Sequence, residues 1–178
     1  ASEPTQIRKA VIPAAGFGTR LLPATKSQPK EMLPVGRKPV IQYVVEEIAA
    51  ADIDQVLVVT SQQKRAIEDH FDINGSSSHG LEGVLSCQMH YTRQSVPKGL
   101  ADAIAHAEGF VAGEPFVVSL GDSLIRSTSP GGTLSRLVET HVAQNAAATI
   151  LFETVEPEDV VRYGIAKPVG EPGQEFAI

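Results

Sequence analysis

The chain has 178 residues, of which 42% are hydrophobic and 20% charged, a composition typical of one globular domain with a single core. The net charge is −6 without any long basic run, which argues against nucleic-acid binding because phosphate backbones select basic surfaces. The single cysteine, Cys87, excludes an internal disulfide, and no apolar stretch reaches membrane-spanning length. Since the N-terminus is polar and lacks a signal-peptide core, we expect a cytoplasmic protein without a membrane partner.

Short apolar runs alternate along the chain with segments of helical periodicity. The apolar runs predict strands at 9–13, 55–60, 88–92, 115–120 and 147–153. The periodic segments predict helices at 40–51, 62–71, 99–110 and 133–145. Because runs such as Val56 to Val59 are apolar at consecutive positions, helices should cover both faces of the sheet. This alternation predicts a three-layer α/β domain with a mainly parallel sheet.

Two segments do not follow the alternation. Residues 72–83 are rich in glycine and serine and have no periodicity, so we expect a mobile surface loop there. Residues 166–178 carry prolines and glycines and then stop on an apolar run, as a strand interrupted near its start would. We therefore expect a single domain, residues 1–178, that is truncated at its C-terminal end.

The first predicted strand leads into a glycine loop. The loop contains Gly16 and Gly18 and ends at Thr19 and Arg20, and Lys30 follows ten residues later between two prolines. Glycines let the backbone approach a ligand closely, and the exposed N–H groups of such a loop favour anions. Arginine and lysine supply positive charge where phosphoryl oxygens gather negative charge. The pattern predicts a loop that handles a triphosphate.

This loop differs from three better-known glycine motifs. A P-loop requires Gly-Lys-Ser/Thr, whereas Thr19 and Arg20 follow Gly18 here. The dinucleotide fingerprint requires a third glycine at the position of Leu21. A kinase glycine loop requires a later His-Arg-Asp sequence, which the chain does not contain.

Gln94 and Asp122 also follow predicted strands. Because the carboxyl ends of parallel strands meet at one edge of a sheet, both residues should face the same crevice as the glycine loop. A glutamine amide can match the edge of a pyrimidine, although uracil and thymine share that edge. A carboxylate after a strand is suited to a hard cation such as magnesium, which takes few protein carboxylates.

The same residues carry a family resemblance. Gly-x-Gly-Thr-Arg, a short gap and Pro-Lys-Glu-Met-Leu-Pro resemble the signature of the nucleoside-diphosphate-sugar pyrophosphorylases. The string is most similar to that of the bacterial UTP–glucose-1-phosphate uridylyltransferases. Further motifs follow in family order around Gln94, Gly99, Asp122 and Gly164. The resemblance implies a Rossmann-like, GT-A-like nucleotidyltransferase fold with a mainly parallel mixed sheet.

The resemblance also implies roles for individual residues. Arg20 and Lys30 would be the catalytic basic groups, Asp122 would hold Mg²⁺, and Tyr163 and Gly164 would bind the sugar. The nucleotide would be bound by Ala14, Ala15, Gly16, Gly18, Thr19, Glu31, Gln94 and Gly99.

The implied reaction joins UTP and glucose 1-phosphate to give UDP-glucose and pyrophosphate. The sugar phosphate would attack the α-phosphorus in line with the leaving pyrophosphate, with no covalent intermediate. A homo-oligomer, a dimer or a tetramer, is also implied. A thymidylyltransferase or another sugar-1-phosphate nucleotidyltransferase stays an alternative. So does a non-catalytic nucleotide-sugar-binding domain, because a Glu-Lys-Pro motif and a second metal aspartate of the family do not appear.

Overall fold

The computed structural model of the protein describes residues 6–72, 80–84 and 86–169. The predicted mobile loop at 72–83 lies largely outside these residues, and the C-terminal end at 170–178 lies wholly outside them. Both therefore stay predictions, as does the single domain over residues 1–178. None of the helices in the described part of the chain combines the length and the apolar character that crossing a bilayer requires.

Strands and helices alternate along the described chain. The strands are β1 (Lys9–Pro13), β2 (Pro34–Val35), β3 (Lys38–Pro39), β4 (Gln55–Thr60), β5 (Gln88–Arg93) and β6 (Phe116–Val118). The α-helices are α1 (Val40–Ala50), α2 (Arg65–Phe71), α3 (Leu100–Ala105), α4 (Glu108–Val111) and α5 (Gly132–Gln144). Short 3₁₀ turns occur at Thr19–Leu21, Lys30–Met32, Glu82–Val84 and Pro157–Arg162.

The central sheet is parallel, with the strand order β5-β4-β1-β6 in the described residues. β1 lies inside the sheet, so Ala10 has Val56 of β4 on one side and Val117 of β6 on the other. β2 and β3 form a separate small antiparallel pair. The predicted α/β fold with a mainly parallel sheet is confirmed. The loops after the parallel strands leave from one edge of the sheet, which is where such folds bind ligands.

Alternate residues of the strands face two different cores, as the two-residue period of a strand requires. Ile12 and Val58 belong to a core that includes Val45 and Ile48 of α1. Their neighbours on β1 and β4 face the other side, where Ala103 of α3 packs with residues of α4. Burial on both faces explains the continuous apolar runs and gives the predicted three layers.

The predicted helix at 99–110 is divided into α3 and α4. The N–H of Ala107 donates to the carbonyl of Ile104 at 2.9 Å, a turn of three residues that interrupts the regular helix between them. The interruption leaves Ala107 fully buried in the core that contains Val11 and Leu57. Packing against the sheet has therefore overridden a helical periodicity that is continuous in the sequence.

The predicted strand at 147–153 is wrong. The structure describes residues 147–153, and they form no strand. The apolar residues Ile150, Leu151 and Phe152 are exposed. A strand exists only where a neighbouring backbone completes the ladder. In the described residues β6 pairs with β1 alone, so the apolar run at 147–153 has no ladder to join.

Candidate active site

The backbone after β1 continues along the sheet edge with small residues. Ala14 and Ala15 are buried, and the N–H of Ala14 donates to the carbonyl of Val59 on β4 at 2.9 Å. Gly16 follows at the surface, and a methyl group added there would meet no atom within 4 Å. The backbone of this loop therefore faces open space, which is what a closely approaching ligand needs.

The loop closes at Gly18, which has a φ of +65° that side-chain-bearing residues rarely adopt. The hydroxyl of Thr25 donates to the carbonyl of Gly18 at 2.8 Å. A methyl group on Gly18 would lie 3.4 Å from Cβ of Lys30, so the loop packs directly against the second basic motif. Arg20, in the turn Thr19–Leu21, is exposed and has no ion-pair partner among the described residues, so its charge is available to an anion.

Lys30 and Asp122 form an ion pair, although 92 residues separate them in the sequence. Lys30 begins a 3₁₀ turn after the glycine loop, and Asp122 follows β6. Their side chains are 26% and 37% exposed, so both groups can still be reached by a ligand. The structure thus brings together the lysine and the aspartate that the sequence places in separate motifs.

Glu31 forms a second ion pair, and this one is buried. Its Oε2 accepts a hydrogen bond from Nζ of Lys64 at 2.6 Å, and the two side chains are only 1% and 5% exposed. Burial lowers the pKa of the Lys64 ammonium group, and the hydrogen bond and charge of Glu31 oppose that shift only in part. A methyl group on Gly121 would lie 3.2 Å from Cγ of Glu31, so the loop that carries Asp122 packs directly against the buried Glu31 side chain.

Gln94 follows β5 and is buried, with 3% exposure. Its N–H donates to the carbonyl of Thr60 at 2.9 Å, which ties it to the end of β4. Its side-chain Nε2 donates to Asp102 Oδ2 at 2.5 Å and to the carbonyl of Gly99 at 3.4 Å. Gly99 caps the N-terminus of α3, so both predicted base-binding residues lie at one junction between β5 and α3.

Tyr163 and Gly164 follow the 3₁₀ turn Pro157–Arg162. Tyr163 is 59% exposed, and no atom lies within 4 Å of a methyl group placed on Gly164. None of the hydrogen bonds or ion pairs described for these two residues reaches the glycine loop or Lys30. Their role in sugar binding stays a prediction.

Sequence reasoning missed three residues that support the site: Thr25, Lys64 and Asp102. Thr25 and Lys64 had no distinguishing pattern. Asp102 lies four residues before His106 within the predicted helix at 99–110, a spacing that indicates only a surface pair. The structure keeps that pair, with Nδ1 of His106 3.8 Å from Asp102 Oδ2, and adds the hydrogen bond to Gln94.

The residues present fit a divalent cation that takes few protein ligands. Within the described ranges, no group of three or more histidine, cysteine or acidic side chains could enclose a metal ion. Asp122 instead offers a single partly exposed carboxylate beside the glycine loop. Magnesium is often held by one or two carboxylates with water and substrate phosphates in its remaining positions. Asp122 is therefore a suitable ligand for such an ion.

The fold and the site together define a nucleotide-handling protein. The sheet is parallel, and its carboxyl edge carries a glycine loop, two basic side chains and one carboxylate. The family model described as "Nucleotidyl transferase" matches residues 9–175. The chain belongs to the nucleotidyl transferase family.

Individual relatives make the comparison more specific. The chain is 45% identical over 177 residues to UTP–glucose-1-phosphate uridylyltransferase 2 of Streptococcus pyogenes serotype M3, covering 92% of this chain and 59% of that protein. It is similar to the solved UDP-glucose pyrophosphorylase of Acinetobacter baumannii, with a TM-score of 0.85, 36% identity and coverage of 96% and 64% of the two chains. A UTP-bound structure from that organism matches with a TM-score of 0.79 and 34% identity, over 94% of this chain and 64% of that one. The chain thus spans about 59% of the curated relative's length.

Proposed function

We propose that the protein transfers a uridylyl group from UTP to glucose 1-phosphate, giving UDP-glucose and pyrophosphate. The observation that carries this proposal is the pairing of Lys30 with Asp122 directly beside the glycine loop. A phosphoryl-transfer site needs a cation at the transferred phosphate and a carboxylate for a metal ion, and this pair supplies both. The uridylyltransferase and pyrophosphorylase names of the relatives support UTP and glucose 1-phosphate as the substrates.

The proposed mechanism relies on placing two polyanions and neutralising their repulsion. Backbone N–H groups around Gly16 and Gly18 and the free guanidinium of Arg20 would hold the β- and γ-phosphates. Lys30 would neutralise charge that develops at the α-phosphate during in-line attack by the sugar phosphate. That attacking oxygen is already anionic, so no general base is required.

Asp122 would hold Mg²⁺, and the ion would supply charge neutralisation across the phosphates. The magnesium requirement and the homo-oligomeric state, which the family resemblance implies, belong to this proposal, and so does the cytoplasmic location expected from the sequence. Sugar binding by Tyr163 and Gly164 and nucleotide binding by Glu31 belong to it as well. Since Glu31 is buried and paired with Lys64, its contribution would be indirect, through the position of Lys30.

Release of pyrophosphate by the full-length protein tests the proposal. The assay contains magnesium and glucose 1-phosphate and compares UTP with dTTP at equal concentration. We expect release that prefers UTP. Preference for dTTP would replace the proposed substrate while keeping the mechanism, and no release with either nucleotide would contradict the proposed reaction.

A further inference from the structure

The amide of Gln94 is held by two hydrogen-bond acceptors at the start of α3. Its Nε2 lies 2.5 Å from Asp102 Oδ2 and 3.4 Å from the carbonyl oxygen of Gly99. An amide nitrogen has two hydrogens, and these two contacts use both of them. The donor capacity of the Gln94 side chain is therefore consumed inside the protein.

These contacts also fix which way round the amide lies. An ionised carboxylate and a backbone carbonyl are acceptors only, so neither can donate to the amide oxygen. Rotating the amide by 180° would place its oxygen against both Asp102 Oδ2 and the Gly99 carbonyl, leaving like partial charges in contact. The charge on Asp102 makes this reversed orientation the less stable one, because a charged acceptor forms a stronger hydrogen bond than a neutral one.

The oxygen of Gln94 is the part of the amide that stays available. No described residue donates a hydrogen bond to Oε1. Among the described residues, the side-chain oxygens that are both buried from solvent and without a hydrogen-bond partner belong to Glu31, Glu47, Asp54 and Tyr91. Oε1 of Gln94 also lacks a partner but is not in this group, so it is still accessible to solvent. A ligand that reaches Gln94 therefore meets an acceptor.

We propose that Asp102 is a positioning residue that selects the base: it holds the Gln94 amide with Oε1 outward, so that the base must donate a hydrogen bond to it. Position 3 of uracil carries an N–H donor, whereas the same position of cytosine is an acceptor. The oxygen of Gln94 therefore pairs with uracil or thymine and repels cytosine at that position. This inference rests on the proposed function, because it deepens the role of Gln94 in nucleotide binding.

The ratio of kcat/KM for UTP to that for CTP, measured by pyrophosphate release from the full-length protein, tests the inference. In Asp102→Ala the amide can reverse, and we expect the ratio to fall by about tenfold, mainly through a higher KM for UTP. Asp102→Asn should lower the ratio as well, because its amide can rotate and donate a hydrogen bond to the oxygen of a reversed Gln94 amide. Asp69→Ala removes another helical aspartate that forms an i,i+4 pair and should leave the ratio unchanged.

A double-variant cycle separates positioning from a general effect on α3. When Gln94→Ala is already present, adding Asp102→Ala should change the UTP-to-CTP ratio no further. If Asp102→Ala does not fold, Asp102→Ser serves instead, because a hydroxyl can donate or accept and so also releases the amide. An unchanged ratio in the folded single variant, or a fall that persists without Gln94, overturns the inference. A wild-type protein without activity on UTP would overturn the proposed function itself.

Discussion

Two adjacent residues, Lys30 and Glu31, belong to ion pairs of very different depth. Lys30 pairs with Asp122 where solvent and a ligand can reach both groups. Glu31 pairs with Lys64 in an almost fully buried position. An exposed pair contributes little to stability and can be exchanged for a ligand, whereas a buried pair cannot lose one member without leaving a charge in the interior. The first pair is thus suited to chemistry and the second to support.

Arg20→Ala and Lys30→Ala should each lower turnover about a hundredfold or more, because each removes a positive charge aimed at the phosphates. Pyrophosphate release by the full-length protein measures the loss, and circular dichroism checks that the fold is kept. Arg65→Ala, which removes an arginine that pairs on the surface of α2, is the control and should retain turnover. Wild-type activity in both test variants would exclude these residues from catalysis.

Lys64→Met should reduce the free energy of unfolding by about 3 kcal/mol, because the Glu31 carboxylate would remain buried without a counter-charge. Urea unfolding measures the change. The double variant Glu31→Gln/Lys64→Met should recover part of the loss. Lys38→Met breaks the more exposed pair with Glu46 and should reduce stability by about 1 kcal/mol or less. Equal losses in the two single lysine variants would contradict the distinction by depth.

At the scale of elements, the packing of α5 on α1 depends on a glycine. Gly131 precedes α5 with a φ of +68°, and its N–H donates to Oε2 of Glu47 at 3.3 Å. A methyl group there would lie 2.7 Å from the backbone nitrogen of Ala51 and closer still to the carbonyl of Ala50. The end of α1 and the start of α5 therefore approach as closely as their backbones allow.

Gly131→Ala should reduce the free energy of unfolding by about 2–4 kcal/mol, because it combines an unfavourable φ with a backbone collision. Gly109→Ala is the matched control: Gly109 lies in α4 at a negative φ, and a methyl group there would meet no atom within 4 Å. That control should be neutral or stabilising by about 0.5 kcal/mol. Chemical denaturation measures the free energy of unfolding of each variant. Equal stability of the two variants would show that the close contact at Gly131 does not determine how α5 packs on α1.

At the scale of the whole molecule, a hydrogen-bonded chain connects α2, α1 and the segment at 80–84. Nε2 of Gln42 donates to Oε1 of Glu46 at 2.8 Å and to the carbonyl of Gly80. Since both amide hydrogens are used, the amide oxygen accepts from Nε2 of His70 at 3.0 Å. Burial lowers the pKa of His70 below its usual 6.5, so the ring stays neutral in the folded protein at neutral pH.

This lowered pKa predicts a loss of stability in acid. Above about pH 6.5 the His70 ring is neutral in both the folded and the unfolded protein. Below that pH the unfolded chain binds a proton before the folded protein does. The free energy of unfolding therefore declines as the pH falls toward the lowered pKa of the folded state. Unfolding measured from pH 7.5 to pH 5 should show a smaller decline in His70→Gln than in the wild type. His141→Gln keeps His70 and should decline like the wild type. Parallel curves for His70→Gln and the wild type would contradict this account.

Much of the fold was predictable because its core strands are continuous apolar runs. β1 and β4 match the predicted bounds, and β5, α1 and α5 differ from them by one residue at one or both ends. The strand predicted at 147–153 was wrong because apolar character indicates an extended, buried segment but cannot supply the neighbour that completes a ladder. The split between α3 and α4 was missed because both halves share one periodicity.

The sequence by itself determined the layered α/β fold, the glycine loop, and the basic and acidic residue types at the sheet edge, because these depend on local patterns of apolar, flexible and charged side chains. Only the tertiary structure decided the pairing of Lys30 with Asp122, the burial of Glu31 with Lys64, and the orientation of Gln94 by Asp102. The first two pairings join residues that lie 92 and 33 positions apart. All three depend on which loops the assembled sheet brings together and how deeply it buries them, and no local pattern records either.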